Sequence, residues 1–262
     1  MTTTPFGLED ITKKTAFMKR DLELLRQLPG LLRKFPSLKE APMVGGAGAK
    51  FYFPARYTKM FPKISDFDLY LETLPPELED RVEESNLLDS QKIVFSPVGE
   101  VKEICQESRY LCYKLSGEVG VDIFTGRIGM ITPPQEVMNQ AVTIPLSTGS
   151  ETFSVRVAPP SLLLATQLNP LAYTEKRARR SAVLCYSVLG EEEVLPPACP
   201  VAYTLDGLVA EAASVFRKSG VGREALERVL NAARNDYSRK FPKFPEVIAG
   251  IADSLGQRHT KA

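Results

Sequence analysis

Residues 64–71 read ISDFDLYL, an alternation of apolar and acidic side chains that is typical of a β-strand. Side chains alternate between the two faces of a strand, so Phe67, Leu69 and Leu71 share one face while Asp66 and Asp68 share the other. Two carboxylates on one face repel each other and raise a pKa unless a cation neutralises them. The segment therefore predicts a strand with one core face and one face suited to Mg²⁺, the usual cation of oxygen-only ligand pairs.

A pair of glycines precedes this strand, in Val44-Gly45-Gly46-Ala47, directly after the short apolar run 41–44. Glycine lets the backbone N–H groups at the start of a helix approach a phosphate closely. Gly45 and Gly46 are therefore candidate nucleotide-binding residues. Lys63 and Ser65, next to the acidic pair, are candidates too.

Further basic residues between the glycines and the carboxylates, Lys50, Arg56 and Lys59, could also reach phosphate oxygens as charge-assisted donors. A solvated basic loop is the alternative reading for each of these cations, Lys63 included.

A third acidic position follows in GEVGVDIF, residues 117–124, where Asp122 stands between apolar neighbours on a predicted strand. If this strand lies beside that of Asp66 and Asp68, the three carboxylates form one cluster. Such a cluster can hold two divalent ions, which activate an attacking hydroxyl and stabilise charge on a phosphate. Asp66, Asp68 and Asp122 are therefore the candidate metal-binding and catalytic residues.

The remaining pattern predicts an α+β fold, a mixed sheet with flanking helices, followed by a helical C-terminal domain. Strand-like runs alternate with turn residues up to residue 157, and helical spacing dominates after Pro159-Pro160. We place the domains at 1–158 and 159–262. Predicted helices cover roughly 10–35, with a break at Pro29-Gly30, and 77–88, and predicted strands include 92–96, 109–115, 118–124, 141–146 and 152–157.

Composition narrows the chemistry further. The net charge is +1, but residues 66–107 carry twelve acids against three bases, and residues 212–262 carry ten bases against five acids. This asymmetry suits metal binding in one region and phosphate contact in another, or two solvated faces. The single histidine, His259, lies in a polar tail, which argues against a Ser-His-Asp triad, a Cys-His pair or a His-rich zinc site.

The four cysteines form no metal-type spacing and read as small buried hydrophobes in a reducing compartment. The N-terminus has no apolar segment typical of a signal peptide, and no apolar run reaches the length of a membrane span. We therefore expect a cytoplasmic protein with no membrane partner.

The order Gly-Gly, Asp-x-Asp and a lone strand Asp resembles the nucleotidyltransferase superfamily that includes polymerase beta. The stretches Val44–Ala47 and Ile64–Leu71 look like the minimal nucleotidyltransferases and the AbiEii-type toxin family. A helix after the last strand, starting near Ala158, and the basic helix that follows from Glu175 are similar to that family as well. The resemblance covers roughly residues 41–190, through short motifs.

The resemblance implies Mg²⁺-dependent transfer of a nucleoside monophosphate from an NTP to an acceptor hydroxyl. Asp66 and Asp68 would hold both metals, Asp122 would hold the one that activates the acceptor, and Gly45 and Gly46 would cradle phosphate. The acceptor is an RNA, such as a tRNA end, or a protein side chain. The toxin family implies in addition a cognate antitoxin as partner.

Two positions depart from that family. Gln167 stands where the family helix typically carries a functional lysine, and Arg179-Arg180-Ser181 lacks the acids of the later family motif. Two alternatives therefore stay open beside the enzyme. One is a catalytically degenerate module of the same fold that senses nucleotide or binds a partner. The other is an unrelated α+β binding protein in which Asp-x-Asp occurs by chance.

Overall fold

The computed structural model describes the residues that build the sheet and most of the helices that cover it. They are residues 4–78 (except 62 and 65), 111–114, 121–169, 174–191, 203–231 (except 222, 225 and 230) and 240–256. The predicted strand 92–96, most of the predicted helix 77–88 and residues 115–120 lie outside the described residues.

The strands and helices follow one another in a simple order, with every described strand before residue 158. The strands are β1 Phe6–Gly7, β2 Pro42–Met43, β3 Phe67–Leu71, β4 Leu111–Lys114, β5 Val121–Thr125, β6 Val142–Ser147 and β7 Thr152–Val157. The α-helices are α1 Leu8–Lys14, α2 Lys19–Lys34, α3 Gly46–Lys50, α4 Gln135–Met138, α5 Pro160–Gln167, α6 Glu175–Tyr186, α7 Leu205–Lys218 and α8 Lys243–Gly256. Shorter helical turns are Pro36–Lys39, Ala55–Met60 and Ser187–Glu191.

The strands form one mixed sheet of seven strands in the order β1-β6-β7-β2-β3-β5-β4. The pairs β1–β6, β7–β2 and β3–β5 are parallel, and the pairs β6–β7, β2–β3 and β5–β4 are antiparallel. The α+β class with a mixed sheet, predicted from the sequence, is confirmed. Strands β3 and β5, which carry the candidate carboxylates, are neighbours in this sheet between β2 and β4.

Helix α5 is apolar on all sides, which predicts a helix enclosed by other elements. Every residue of Pro160–Gln167 is buried. The helix contacts α3, α4, α6 and α7, so it links the sheet region to the later helices. The buried residues on both sides of residue 158 belong to one hydrophobic cluster.

The N-terminal helical region differs from its prediction. Two helices cover it, separated at residues 15–18, and α2 continues through Pro29 without a break. The predicted break at Pro29-Gly30 is therefore wrong. Buried leucines at helical spacing lie on both sides of Pro29, at residues 22, 25, 28 and 32. Packing of this apolar face stabilises the helix, although Pro29 cannot donate a backbone hydrogen bond.

No helix among the described residues is both long enough and apolar enough to cross a lipid bilayer. The longest described helix, α2, has sixteen residues and alternates apolar with charged positions.

Candidate carboxylate site on strands β3 and β5

Asp68 and Asp122 lie side by side on neighbouring strands. Strands β3 and β5 are parallel, and their register pairs Asp68 with Asp122 directly. Residues in register on adjacent strands place their side chains on the same face of a sheet. Phe67, Leu69 and Ile123 are buried, so the apolar positions of both strands belong to the core. Asp66 precedes the first residue of β3 and is partly buried.

The glycine turn lies against Asp68. The N–H of Val44 donates to the carbonyl oxygen of Asp68 at 2.9 Å, which brings the end of β2 beside β3. A Cβ on Gly45 would stand 1.5 Å from Oδ2 of Asp68, so any side chain there would collide with that carboxylate. Gly46 begins α3, and its backbone N–H donates to the Asp68 carboxylate. Glycine is thus required at residue 45 because a carboxylate approaches the backbone.

Asp68 has an unusual electrostatic environment for a carboxylate. Burial raises the pKa of Asp68 to about 7, and the neighbouring charges of Asp66 and Asp122 raise it as well. The hydrogen bond from Gly46 and the charge of Arg177 act in the opposite direction. Like charges close to a buried acid favour its neutral form, and a bound cation reverses that preference. A cation bound beside Asp68 would therefore favour the charged form of this carboxylate.

Two arginines of helix α6, Arg177 and Arg180, lie close enough to this site for their charges to act on it. The Nη1 of Arg180 lies 3.6 Å from the point where a Gly46 Cβ would stand. Its guanidinium lies over the ring of Phe61, 5.6 Å from the ring centroid. Burial and, to a smaller extent, the charge of Arg177 lower the pKa of Arg180 to about 10, and the charge of Asp68 opposes both effects. The carboxylates and a pair of cations thus share one region.

Helix α6 is positioned by local interactions. Its N-cap Thr174 accepts the N–H of Arg177 through Oγ1 at 3.2 Å, a common start signal for a helix. Arg177 and Arg180 are three residues apart and therefore lie on the same side of the helix. An Nη1–H of Arg177 also contacts the carbonyl oxygen of Thr166 at 3.5 Å, near the end of α5.

The predicted nucleotide-binding residues lie in different places relative to the carboxylates. Gly45 and Gly46 adjoin Asp68, Lys63 is exposed in the segment that leads into β3, and Ser65 lies outside the described residues. Lys50 does not face the site: its side chain is 3% exposed and pairs with Asp21. The interpretation of Lys50 as a phosphate ligand is therefore wrong, because its ammonium is buried and already paired with a carboxylate.

The donor set suits a hard cation, although the carboxylates do not converge into a preformed cage. The described residues include no group of three or more His, Cys, Asp or Glu side chains close enough to hold a metal ion together. Mg²⁺ commonly binds through one or two carboxylates and completes its shell with waters and substrate phosphates. The adjacent pair of Asp68 and Asp122 meets that requirement, and Asp66 lies near enough for its charge to raise the pKa of Asp68.

Gln167 and Ser181, which depart from the family pattern, are both buried. Gln167 is 5% exposed at the end of α5, and its Oε1 has no hydrogen-bond partner. The hydroxyl of Ser181 donates to the carbonyl oxygen of Arg177 at 3.0 Å within α6. A lysine at residue 167 would place its stem in the core, so the position does not offer a phosphate contact in this arrangement.

Two residues at the site escaped the sequence analysis. A Cβ on Gly48 would stand 2.6 Å from the carbonyl oxygen of Met43, so this third glycine lets α3 pack against β2. The signal was present in the spacing of glycines at 45, 46 and 48. Asp21 contacts the segment before β3 from 43 residues away. No local pattern marks it, since its role depends on tertiary contacts.

No protein-family model, curated protein or solved structure matches this chain.

Proposed function

We propose that the chain is an Mg²⁺-dependent nucleotidyltransferase that moves a nucleoside monophosphate from an NTP to a hydroxyl of RNA or protein. The observation that carries this proposal is the pairing of Asp68 with Asp122 against the Gly45-Gly46 turn. Glycines next to paired strand carboxylates are the combination in which the chain resembles polymerase-beta-like enzymes.

Asp68 and Asp122 would hold the magnesium, and Asp66 would add negative charge from nearby without binding the same ion. The raised pKa of Asp68, about 7, supports this assignment, because a cation removes the repulsion among the three acids. Magnesium, when bound, supplies positive charge to the phosphate oxygens and lowers the pKa of the attacking hydroxyl.

The basic residues around the glycine turn would bind the triphosphate. Arg180 stands beside Gly46, and Arg177 is close enough to affect the pKa of Asp68. Guanidinium groups bind phosphate oxygens with paired, charge-assisted hydrogen bonds. These two arginines would supply the charge that a lysine supplies in the family, for which Gln167 is too deeply buried.

The transfer itself would be a displacement at the α-phosphorus. The oxygen of the acceptor hydroxyl forms the new bond to phosphorus, the bond to the bridging oxygen breaks, and pyrophosphate leaves with its electron pair. Asp122 would accept the proton of the attacking hydroxyl at a carboxylate oxygen. Arg177 and Arg180 would hold the leaving pyrophosphate through its negative oxygens.

A second candidate function is a nucleotide sensor without catalysis. The specific observation in its favour is that Gln167 and Ser181 are enclosed in the helical core, so the chain lacks side chains that the family uses. Such a module would bind NTP in an Mg²⁺-dependent way and never label an acceptor. The further proposal that the enzyme is a toxin with a cognate antitoxin rests on the family resemblance alone.

The test is incubation with each of the four α-labelled NTPs, Mg²⁺ and total RNA or cell protein, followed by gel separation. We expect wild type to label an acceptor and Asp68→Asn to lose at least about 100-fold in rate, since charge stabilisation of this kind is worth that much. Glu72→Gln is the matched control, because it removes an exposed carboxylate just beyond β3 and should leave the rate unchanged.

Each other outcome decides between the candidates. Mg²⁺-dependent NTP binding without labelling in any mixture would favour the sensor. Absence of both binding and labelling would leave neither function standing, and the Asp-x-Asp would then be a chance pattern on a binding protein of another kind.

A further inference from the structure

A buried ion pair lies behind the carboxylate site. Asp21, in the first turn of α2, has no exposed surface, and Lys50, the last residue of α3, is 3% exposed. Oδ2 of Asp21 and Nζ of Lys50 are 2.6 Å apart. The ammonium also lies over the ring of Phe17, 5.8 Å from its centroid, which shields the pair from solvent.

The Asp21 carboxylate joins three segments of the chain. Its Oδ2 accepts the backbone N–H of Met18 at 2.8 Å, just before α2, as well as the ammonium of Lys50. Its Oδ1 accepts the backbone N–H of Ile64 at 3.0 Å. One side chain therefore holds the start of α2, the end of α3 and the segment that leads into β3.

Two of these connections lead directly to the site. Ile64 is two residues before Asp66, so the hydrogen bond from its N–H restrains the backbone at the entry to β3. Lys50 ends the helix that Gly46 begins, and that helix is only five residues long. At a rise of about 1.5 Å per residue, the backbone of Lys50 lies about 6 Å along the helix axis from that of Gly46, whose N–H binds Asp68.

A buried ion pair such as Asp21–Lys50 is poorly explained by its contribution to folding stability. Removing two charges from water costs several kcal/mol per ion, and well-packed apolar residues in place of a buried pair are often as stable or more stable. What apolar residues cannot do is accept the N–H groups of Met18 and Ile64 while also contacting the end of α3. The contacts of Asp21 are therefore better explained by the geometry they impose.

We infer that Asp21 and Lys50 are positioning residues, which fix the Gly46 turn and the segment that enters β3 relative to each other, so that Asp68 is held in place for its ligand. The inference rests on the proposed function, since the ligand is the Mg²⁺ and NTP of that reaction. Neither side chain touches substrate; both act through backbone that carries the site.

The test compares two double variants that both lack the buried ion pair. Asp21→Asn with Lys50→Met keeps one carbonyl oxygen, which can accept the N–H of Ile64, and gives up the second acceptor, which faces Met18 and Lys50. Asp21→Leu with Lys50→Met has the same branched shape without any acceptor. Both remove the charges together, so neither leaves an unpaired buried ion. Urea denaturation of each establishes what fraction is folded under the assay conditions.

In the labelling assay with total RNA, we expect the kcat of the Asn double variant to stay within about threefold of that of wild type. The Leu double variant should lose about 10- to 100-fold in kcat with little change in the KM for NTP, because misplacement of reacting groups by about 1 Å costs this much. Equal kcat in the two double variants would overturn the inference, and so would a loss in kcat that only follows the unfolded fraction.

A second measurement does not depend on catalysis. Amide hydrogen exchange should be faster at Ile64, Asp66 and Gly46 in the Leu double variant than in the Asn double variant, with the β6–β7 hairpin unchanged. Equal exchange at these amides would overturn the positioning role even if wild type is active. If wild type labels nothing, the proposed function fails, while local faster exchange would still support the positioning role.

Discussion

Two aspartates in the first third of the chain have opposite surroundings. Asp21 accepts an ammonium and two backbone N–H groups, and no other acid lies among these contacts. Asp68 accepts the N–H of Gly46 but stands beside Asp66 and Asp122, which raise its pKa. Asp21 is therefore compensated by groups of the fold, whereas Asp68 is an uncompensated carboxylate whose neutral form is favoured by the like charges beside it.

The compensated pair should be the more sensitive to loss of one partner. Lys50→Met removes the ammonium and leaves Asp21 buried with an uncompensated charge. We expect the free energy of unfolding to fall by about 3–5 kcal/mol, the usual result when one side of a buried ion pair is removed. Urea denaturation at pH 7 measures this.

Lys13→Met is the matched control, because Lys13 forms an exposed pair with Asp10 at 2.9 Å. Exposed pairs contribute little, so its stability should not change measurably. If the two lysine variants were equally stable, the contrast between compensated and uncompensated carboxylates would lose its basis.

The uncompensated carboxylate should make stability depend on pH. In the folded chain the pKa of Asp68 is about 7, against 3.8 as the ordinary value, so the folded state binds a proton more tightly than the unfolded state. Folded stability therefore falls as pH rises from about 4 to about 7, and Asp68→Asn removes this loss.

We expect Asp68→Asn to be more stable than wild type by about 2 kcal/mol at pH 8 without divalent cations, after allowance for the partial exposure of the group, and nearly equal to it at pH 4. Thermal or urea unfolding across this pH range measures the difference. Mg²⁺ should stabilise wild type and not the variant. A stability difference that is independent of pH would mean that Asp68 is ionised normally.

The smallest expected change in stability concerns the buried, uncharged amide of Gln167. Oε1 of Gln167 is buried without a hydrogen-bond partner, which costs free energy in the folded state. Gln167→Met keeps the length of the side chain and removes the polar oxygen, so we expect a gain of about 0.5–1 kcal/mol. Gln27→Met, an exposed change in α2, should be neutral, and a loss of stability in Gln167→Met would indicate that Oε1 is hydrogen-bonded in solution.

Part of the carboxylate site can be predicted from short stretches of sequence. The alternation in residues 64–71 predicts which side chains of β3 enter the core, because a strand has only two faces. The glycines at 45 and 46 predict a close approach of the backbone. Neither pattern indicates that the group approaching Gly45 is the carboxylate of Asp68, since that depends on how β2 pairs with β3.

The N-terminal helices show the opposite case. Leucines at helical spacing predict the apolar face of α2, but the single Pro29 led to a predicted break that packing overrides. The break lies instead at residues 15–18, where Ala16 and Phe17 are buried. Backbone preference at one residue costs a few kcal/mol, and burial of a whole helix face outweighs it.

The α+β class, the two faces of β3 and the oxygen character of the candidate ligands could all be predicted from residue types and their spacing, because these act locally. Three contacts could not be predicted in this way: the register of Asp122 with Asp68, the approach of Arg180 to Gly46, and the pairing of Lys50 with Asp21. The physical reason is that these contacts join residues 29 to 134 positions apart in the chain, and their geometry follows from strand order and core packing. No short window of sequence contains that information.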